Sequence, residues 1–186
     1  MLDTVKSRVN GLDLNALGEV VETIWQDPRQ ALVGFEVTTR WTGQTRSETT
    51  VEGYTLGGDW ITRTHKIVAD EPCELLGGDS APNPQELLMA AFNACITVGY
   101  VAGASLKGIR LDSLEIKTSG QLDLRGFLGL RDDVIPGYES IAYEVRIKGD
   151  GTPDQFEEIH QNVLKTSPNY FNISRPIRVD ATLKVV

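Results

Sequence analysis

The stretch Asn83-Pro84-Gln85-Glu86-Leu87-Leu88-Met89-Ala90-Ala91-Phe92-Asn93-Ala94-Cys95 decides the fold. Asn83 is a good helix N-cap, and Pro84 suits the first helical position because it has no N–H to leave unpaired. Glu86 complements the positive end of the helix dipole. Apolar residues recur past Cys95, so the spacing predicts a helix from about Pro84 to Ser105, closed by Gly108. Ala90, Ala91, Ala94, Gly99, Ala102, Gly103 and Ala104 leave most of its circumference small. Another backbone can approach such a surface closely, which predicts a helix buried on nearly all sides and packed against a second helix. Cys95 shares a stripe with Leu88, Ala91, Phe92, Val98 and Ala102. It lies about three turns inside the helix, where the macrodipole has faded, so the helix end does not acidify its thiol.

Working outward, Asn10 to Asp27 reads as a capped amphipathic helix that ends at Asp27-Pro28. Strand character follows in Ala31–Trp41, Ser47–Leu56 and Trp60–Val68, with turns at Thr42-Gly43-Gln44 and Gly57-Gly58-Asp59. Beyond the long helix, Ile109 to Leu124 and Ile141 to Lys148 alternate apolar and polar residues. Residues 125 to 138 form a Gly-rich loop between them. Thr152 caps a helix from Pro153 to about Lys165, and Ile177 to Val186 reads as a closing strand. Strands cluster instead of alternating strictly with helices, so the fold class is α+β.

A chain of 186 residues is long enough for one domain with its own core. The balance of 18 Lys+Arg against 26 Asp+Glu, with no basic cluster, speaks against a nucleic-acid partner. The only cysteines, Cys73 and Cys95, exclude a disulfide-rich scaffold and a Cys-only metal site. The N-terminal residues lack the apolar core of a signal peptide, and Asn93 and Thr97 spoil the span from Leu87 to Leu106 for lipid. These features imply a soluble cytoplasmic protein with no membrane partner. His65 and His160 lack ligand spacing to Cys95, so no metal is expected. The Gly126 and Gly129 loop is no phosphate cradle, and no cofactor is implied. Phe127, Leu128 and Leu130 in that loop suit either an apolar flap over a binding pocket or a core-capping loop.

The run from Pro82 to Cys95 resembles the active-site helix of the OsmC/Ohr superfamily, and Gly108-Ile109-Arg110-Leu111 resembles its entry into the next strand. The resemblance covers residues 31 to 186, leaving residues 1 to 30 as an N-terminal helical extension. It implies an intertwined homodimer, with sheets wrapped around two central helices. It also implies reduction of hydroperoxides by a cysteine that becomes a sulfenic acid and is resolved by a second cysteine.

On this resemblance Cys95 is the attacking cysteine. The resolving position falls on Ser167, in Ser167-Pro168, and a hydroxyl cannot form a disulfide. Cys73, in an acidic setting before the helix, is a poor substitute. The family glutamate falls on Gln85, with Glu86 next to it and about 100° around the helix. Arg46 best fits the thiolate-stabilising arginine, with Arg40 second. Asn169 and Tyr170, beside Ser167, read either as a pocket lining or as an ordinary helix-exit loop. Two functions follow. One is a single-cysteine thiol peroxidase that reduces organic hydroperoxides with an external thiol reductant. The other is a non-catalytic protein that binds a small apolar ligand and in which Cys95 only packs.

Overall fold

A computed structural model describes residues 8–186, so the first seven residues of the N-terminal extension lie outside it. The chain divides into two compact units, Met1–Ala90 and Ala91–Val186, with the division falling inside the long helix. Helices and antiparallel sheets are mixed, which is the α+β class expected.

In the first unit, β1 (Arg8–Val9) and β2 (Leu12–Asp13) form a small hairpin. Asn10 and Gly11 between them take positive φ of 51° and 84°, the backbone a two-residue hairpin turn demands. Helix α1 therefore begins later than expected, at Leu14, and runs to Gln26. Its cap is Asp13, whose carboxylate accepts from the backbone N–H groups of Asn15 and Ala16. A 3₁₀ turn over Pro28–Ala31 leads into the sheet.

That sheet is centred on β5 (Arg46–Leu56). One edge pairs with β6 (Asp59–Ala69), and the other pairs successively with β3 (Val33–Phe35) and β4 (Thr38–Gly43). The expected single strand Ala31–Trp41 is thus interrupted. Phe35 faces Tyr54 and Thr38 faces Thr50, so β5 spends one residue more than its partner across the gap, and the ladder breaks there. Gly53 sits at this irregularity with the Trp60 ring over it. A Cβ at Gly53 would stand 2.4 Å from a Trp60 ring carbon. The turn glycines Gly57 and Gly58 have φ of 61° and 98°, as their hairpin reading requires.

Asp70 closes this unit. Its carboxylate accepts from Ser80 Oγ (2.7 Å), Thr45 Oγ1 (2.8 Å) and the backbone N–H groups of Glu71, Gly78 and Ser80. Those bonds, the Ser80 hydroxyl first, hold its pKa down at about 2. Cys73 lies exposed on the loop so organised.

Helix α2 runs Pro84–Leu106. Asn83 Oδ1 accepts from Glu86 N–H at 2.9 Å, and Glu86 Oε2 accepts from Asn83 N–H at 2.8 Å, a reciprocal capping box. Gly108, at φ 71°, ends it. By length and composition α2 could cross a membrane, but its buried face joins the second unit's core.

That core is Phe92, Ile96, Tyr100 and Ala104 from α2 with Ile109, Ile159 and Val163. It packs on the inward face of the antiparallel pair β7 (Leu111–Gly120) and β8 (Ile141–Gly149). A short α3 (Leu124–Phe127) begins the Gly-rich connection between them. Helix α4 (Pro153–Thr166) carries a capping box of Thr152 and Gln155, and α5 (Pro168–Ser174) follows after Ser167.

Three expectations need correction. Within a single chain helix α2 is not buried on nearly all sides: one stripe is enclosed, while Val98 is 68% exposed and Leu88 and Leu106 are exposed too. The segment after Ser167 is a capped helix, not a loop. Ile177–Val186 forms no strand among the described residues, although Ile177, Val179, Leu183 and Val185 keep a period of two. A strand exists only through a neighbour's hydrogen bonds, and alternation cannot supply the neighbour.

Candidate functional site

Three residues spaced by four on α2, Cys95, Gly99 and Gly103, meet three spaced by four on α4 and its cap, Ser167, Val163 and Ile159, taken in reverse order. A Cβ at Gly103 would stand 3.0 Å from Ile159 Cγ2, and one at Gly99 would stand 2.9 Å from Val163 Cγ2. The glycines are therefore notches into which the branched side chains seat, the i±4 rows of two helices meeting. The next rung places Cys95 Sγ 3.4 Å from Ser167 Oγ. The small residues noticed in the sequence serve this close approach of α2 to α4.

Ser167 has two further tasks. Its N–H donates to Val163 O, closing α4, and its Oγ accepts from Tyr170 N–H at 3.3 Å, opening α5. The residue is 6% exposed, with its backbone N–H spent on α4 and its hydroxyl shared between α5 and Cys95. Asn169 Nδ2 donates to Ala91 O at 2.9 Å and ties α5 back to α2 one turn before Cys95. Tyr170 lines a cavity of about 450 Å³ together with Phe92 and Tyr143. The sulfur is half-buried, with a hydroxyl that can donate to a thiolate or accept from a thiol.

A model of OsmC-like proteins matches residues 77–182, which takes in all of α2 and the Cys95–Ser167 rung. The chain belongs to the OsmC-like protein family. No curated protein matches it in sequence. Among solved structures, the OsmC-like protein of Mycoplasma pneumoniae is similar at TM-score 0.59 and 16% identity, over 75% of this chain and 86% of that one. An OsmC-like protein of unknown function from Vibrio cholerae gives TM-score 0.54 at 14% identity, over 73% of this chain and 90% of its own. These likenesses concern the fold.

The other residues that the OsmC resemblance singled out have plain structural surroundings. Arg46 opens β5 in the first unit, where its Nη1 donates to Thr42 Oγ1 at 3.0 Å. Arg46 and Arg40 both add to the field that keeps the Glu48 carboxyl below its ordinary range, after the larger effect of the bonded Lys66. Gln85 is half-buried in the first turn of α2, and Glu86 is occupied by the capping box. Phe127 projects from α3 and is 60% exposed. Among the described residues no group of His, Cys, Asp and Glu side chains could hold a metal ion.

The sequence reading missed the pairing of Tyr100 with His160. The Tyr100 hydroxyl is hydrogen-bonded to His160 Nδ1 across 60 residues of chain. Burial, with Tyr143 and Glu157 adding to it, pushes the Tyr100 phenol up. Tyr143 stands beside them with its hydroxyl enclosed and without a hydrogen-bond partner. The only cue was the spacing of Tyr100 from Phe92 and Ile96 on one helix stripe, which points to burial but names no partner.

Proposed function

We propose that this OsmC-like protein is a thiol-dependent reductase of organic hydroperoxides that works with one cysteine. The contact of Cys95 Sγ with Ser167 Oγ carries the reading, because it sets a hydroxyl at the point where a resolving sulfur would stand. The Cys95 thiolate attacks the terminal peroxide oxygen and the O–O bond breaks. The alkoxide leaves and takes a proton to become an alcohol, and the sulfur, having given up two electrons, is a sulfenic acid. An external thiol condenses with it to a mixed disulfide and water, and a second thiol releases the external disulfide and restores Cys95. The Ser167 hydroxyl, 3.4 Å from the sulfur, lies within reach of the reacting atom. The thiolate-stabilising cation is carried over from the family to Arg46.

A stopped-flow assay with cumene hydroperoxide and a monothiol tests this. Consumption well above that of free cysteine at neutral pH, lost in Cys95→Ser, is expected; a rate no greater than free cysteine rejects it. Ser167→Cys should then form a bond with Cys95 on oxidation, seen as two thiols lost in titration, because sulfur replaces an oxygen already in contact.

The second reading, a small-ligand binder with Cys95 as packing, draws support from the serine at position 167 and the aromatic cavity beside α5. Under it, Cys95→Ser keeps all ligand affinity and no peroxide is consumed. In either case we propose a cytoplasmic homodimer. The apolar, unpaired segment Ile177–Val186 and the exposed Phe35, Val37 and Val98 support a second copy as the missing neighbour. Sedimentation at micromolar concentration should give a dimer, and a folded monomer there removes the proposal.

A further inference from the structure

The cavity beside α5 is lined by aromatic residues together with Ile141, Ile173, Ser140, Ser174 and Glu139. Four aromatic rings, those of Phe92, Tyr138, Tyr143 and Tyr170, line its 450 Å³, and the charged group among the lining residues is the Glu139 carboxylate. No Lys, Arg or His takes part in the lining. Glu139 makes no ion pair among the described residues. Arg175, the basic residue that follows the lining residue Ser174 in the chain, is engaged elsewhere, stacked 4.9 Å from the Phe171 ring centroid.

The rings are held in place. Phe92 and Tyr143 meet edge to face with centroids 5.2 Å apart. Tyr138 lies against Gly120, where an added Cβ would stand 2.8 Å and 3.0 Å from two of its ring carbons, so the absent side chain makes room for the ring. Rings present electron-rich faces, and a carboxylate adds a full negative charge. Their joint preference is for a cation too large and too weakly hydrated to be better off in water. The net charge of −8 adds a long-range attraction of the same sign.

We propose that this cavity binds a small alkylated ammonium ion, with the aromatic rings around the alkyl groups and Glu139 as counter-charge. The site is independent of the thiol chemistry proposed above. The cavity's volume falls in the range of small-molecule sites, and all its lining residues belong to the second unit.

Calorimetry with choline and its neutral isostere 3,3-dimethylbutan-1-ol on the full chain tests this, since the two differ in charge at almost constant shape. Choline should bind saturably and at least about tenfold more tightly than the alcohol. Glu139→Gln, an exposed position whose replacement leaves packing intact, should weaken choline by about tenfold and leave the alcohol unchanged. Tyr138→Leu should weaken choline more than the alcohol. Cys95→Ser should bind choline as the parent does, which separates this proposal from the fate of the peroxide assay. Equal affinity for the two probes, indifference to Glu139→Gln, or no saturable binding at millimolar choline each overturns it.

Discussion

Each unit is held together internally by different physics. In the second, Phe92, Ile96, Tyr100, Ile159 and Val163 are enclosed against a two-stranded sheet, and burial of their side chains supplies the stability. In the first, among the described residues, only Gly53 and Asp70 are fully enclosed, while Phe35, Val37, Trp41 and Trp60 face outward. Its strands are joined by ladder hydrogen bonds and its long loop by one carboxylate. A sheet that shows so much apolar surface is incomplete as a free surface, whereas the helical unit carries its own core.

The contrast can be broken or sharpened by substitution. Ile96→Ala should cost the most, about 2–5 kcal/mol in denaturant unfolding, because it opens a cavity in a fully enclosed site. Its counterpart, Val37→Ser, should leave a dilute sample's stability within about 0.5 kcal/mol of the parent. It should lower stability only at concentrations where sedimentation shows the dimer, and a large loss independent of concentration would mean the first unit has a hidden core of its own. Gly99→Ala should cost about 1–3 kcal/mol by overpacking Val163, and in the Ser167→Cys background it should slow formation of the Cys95 bond.

Smaller effects separate the two tyrosines. Tyr100→Phe strands His160 Nδ1 and should destabilise by about 1–3 kcal/mol, whereas Tyr143→Phe deletes a hydroxyl with no partner and should be neutral or mildly stabilising. At neutral pH the least visible contribution is that of Asp70. A folded pKa lowered to about 2 means that its stabilisation is complete above the ordinary carboxylate value and is lost as pH falls through the folded one. Acid titration of unfolding should therefore show a loss between about pH 4 and 2 that Asp70→Asn abolishes.

Much of this was legible in the sequence for local reasons. Asn83, Gly108 and Thr152 declare helix ends through side-chain and backbone chemistry that acts within a few residues, and the structure bears them out. The ends that were misplaced had a competing local signal: Asn10-Gly11 makes a better hairpin turn than a helix start. Ile177–Val186 shows the opposite limit, since its alternation is plain and its partner is not written beside it. At the site, the position of Ser167 opposite Cys95 came from the family resemblance, and spacing alone would not have given it. The ladder that creates the contact was half visible, as a period of four in Cys95, Gly99 and Gly103. Its other half, Ile159, Val163 and Ser167, has the same period, but nothing in the sequence matches it to the first. The Tyr100–His160 bond joins residues whose separation carries no local cue at all.

The rungs between α2 and α4 divide their labour. Two are steric: a glycine and a branched side chain gauge the distance between helices and their axial register. The third sets Cys95 Sγ against Ser167 Oγ, in the register that the two steric rungs fix. On the function proposed above, position 167 is the end piece at which redox behaviour would be exchanged. The alignment that makes such an exchange matter is kept by residues that do no chemistry.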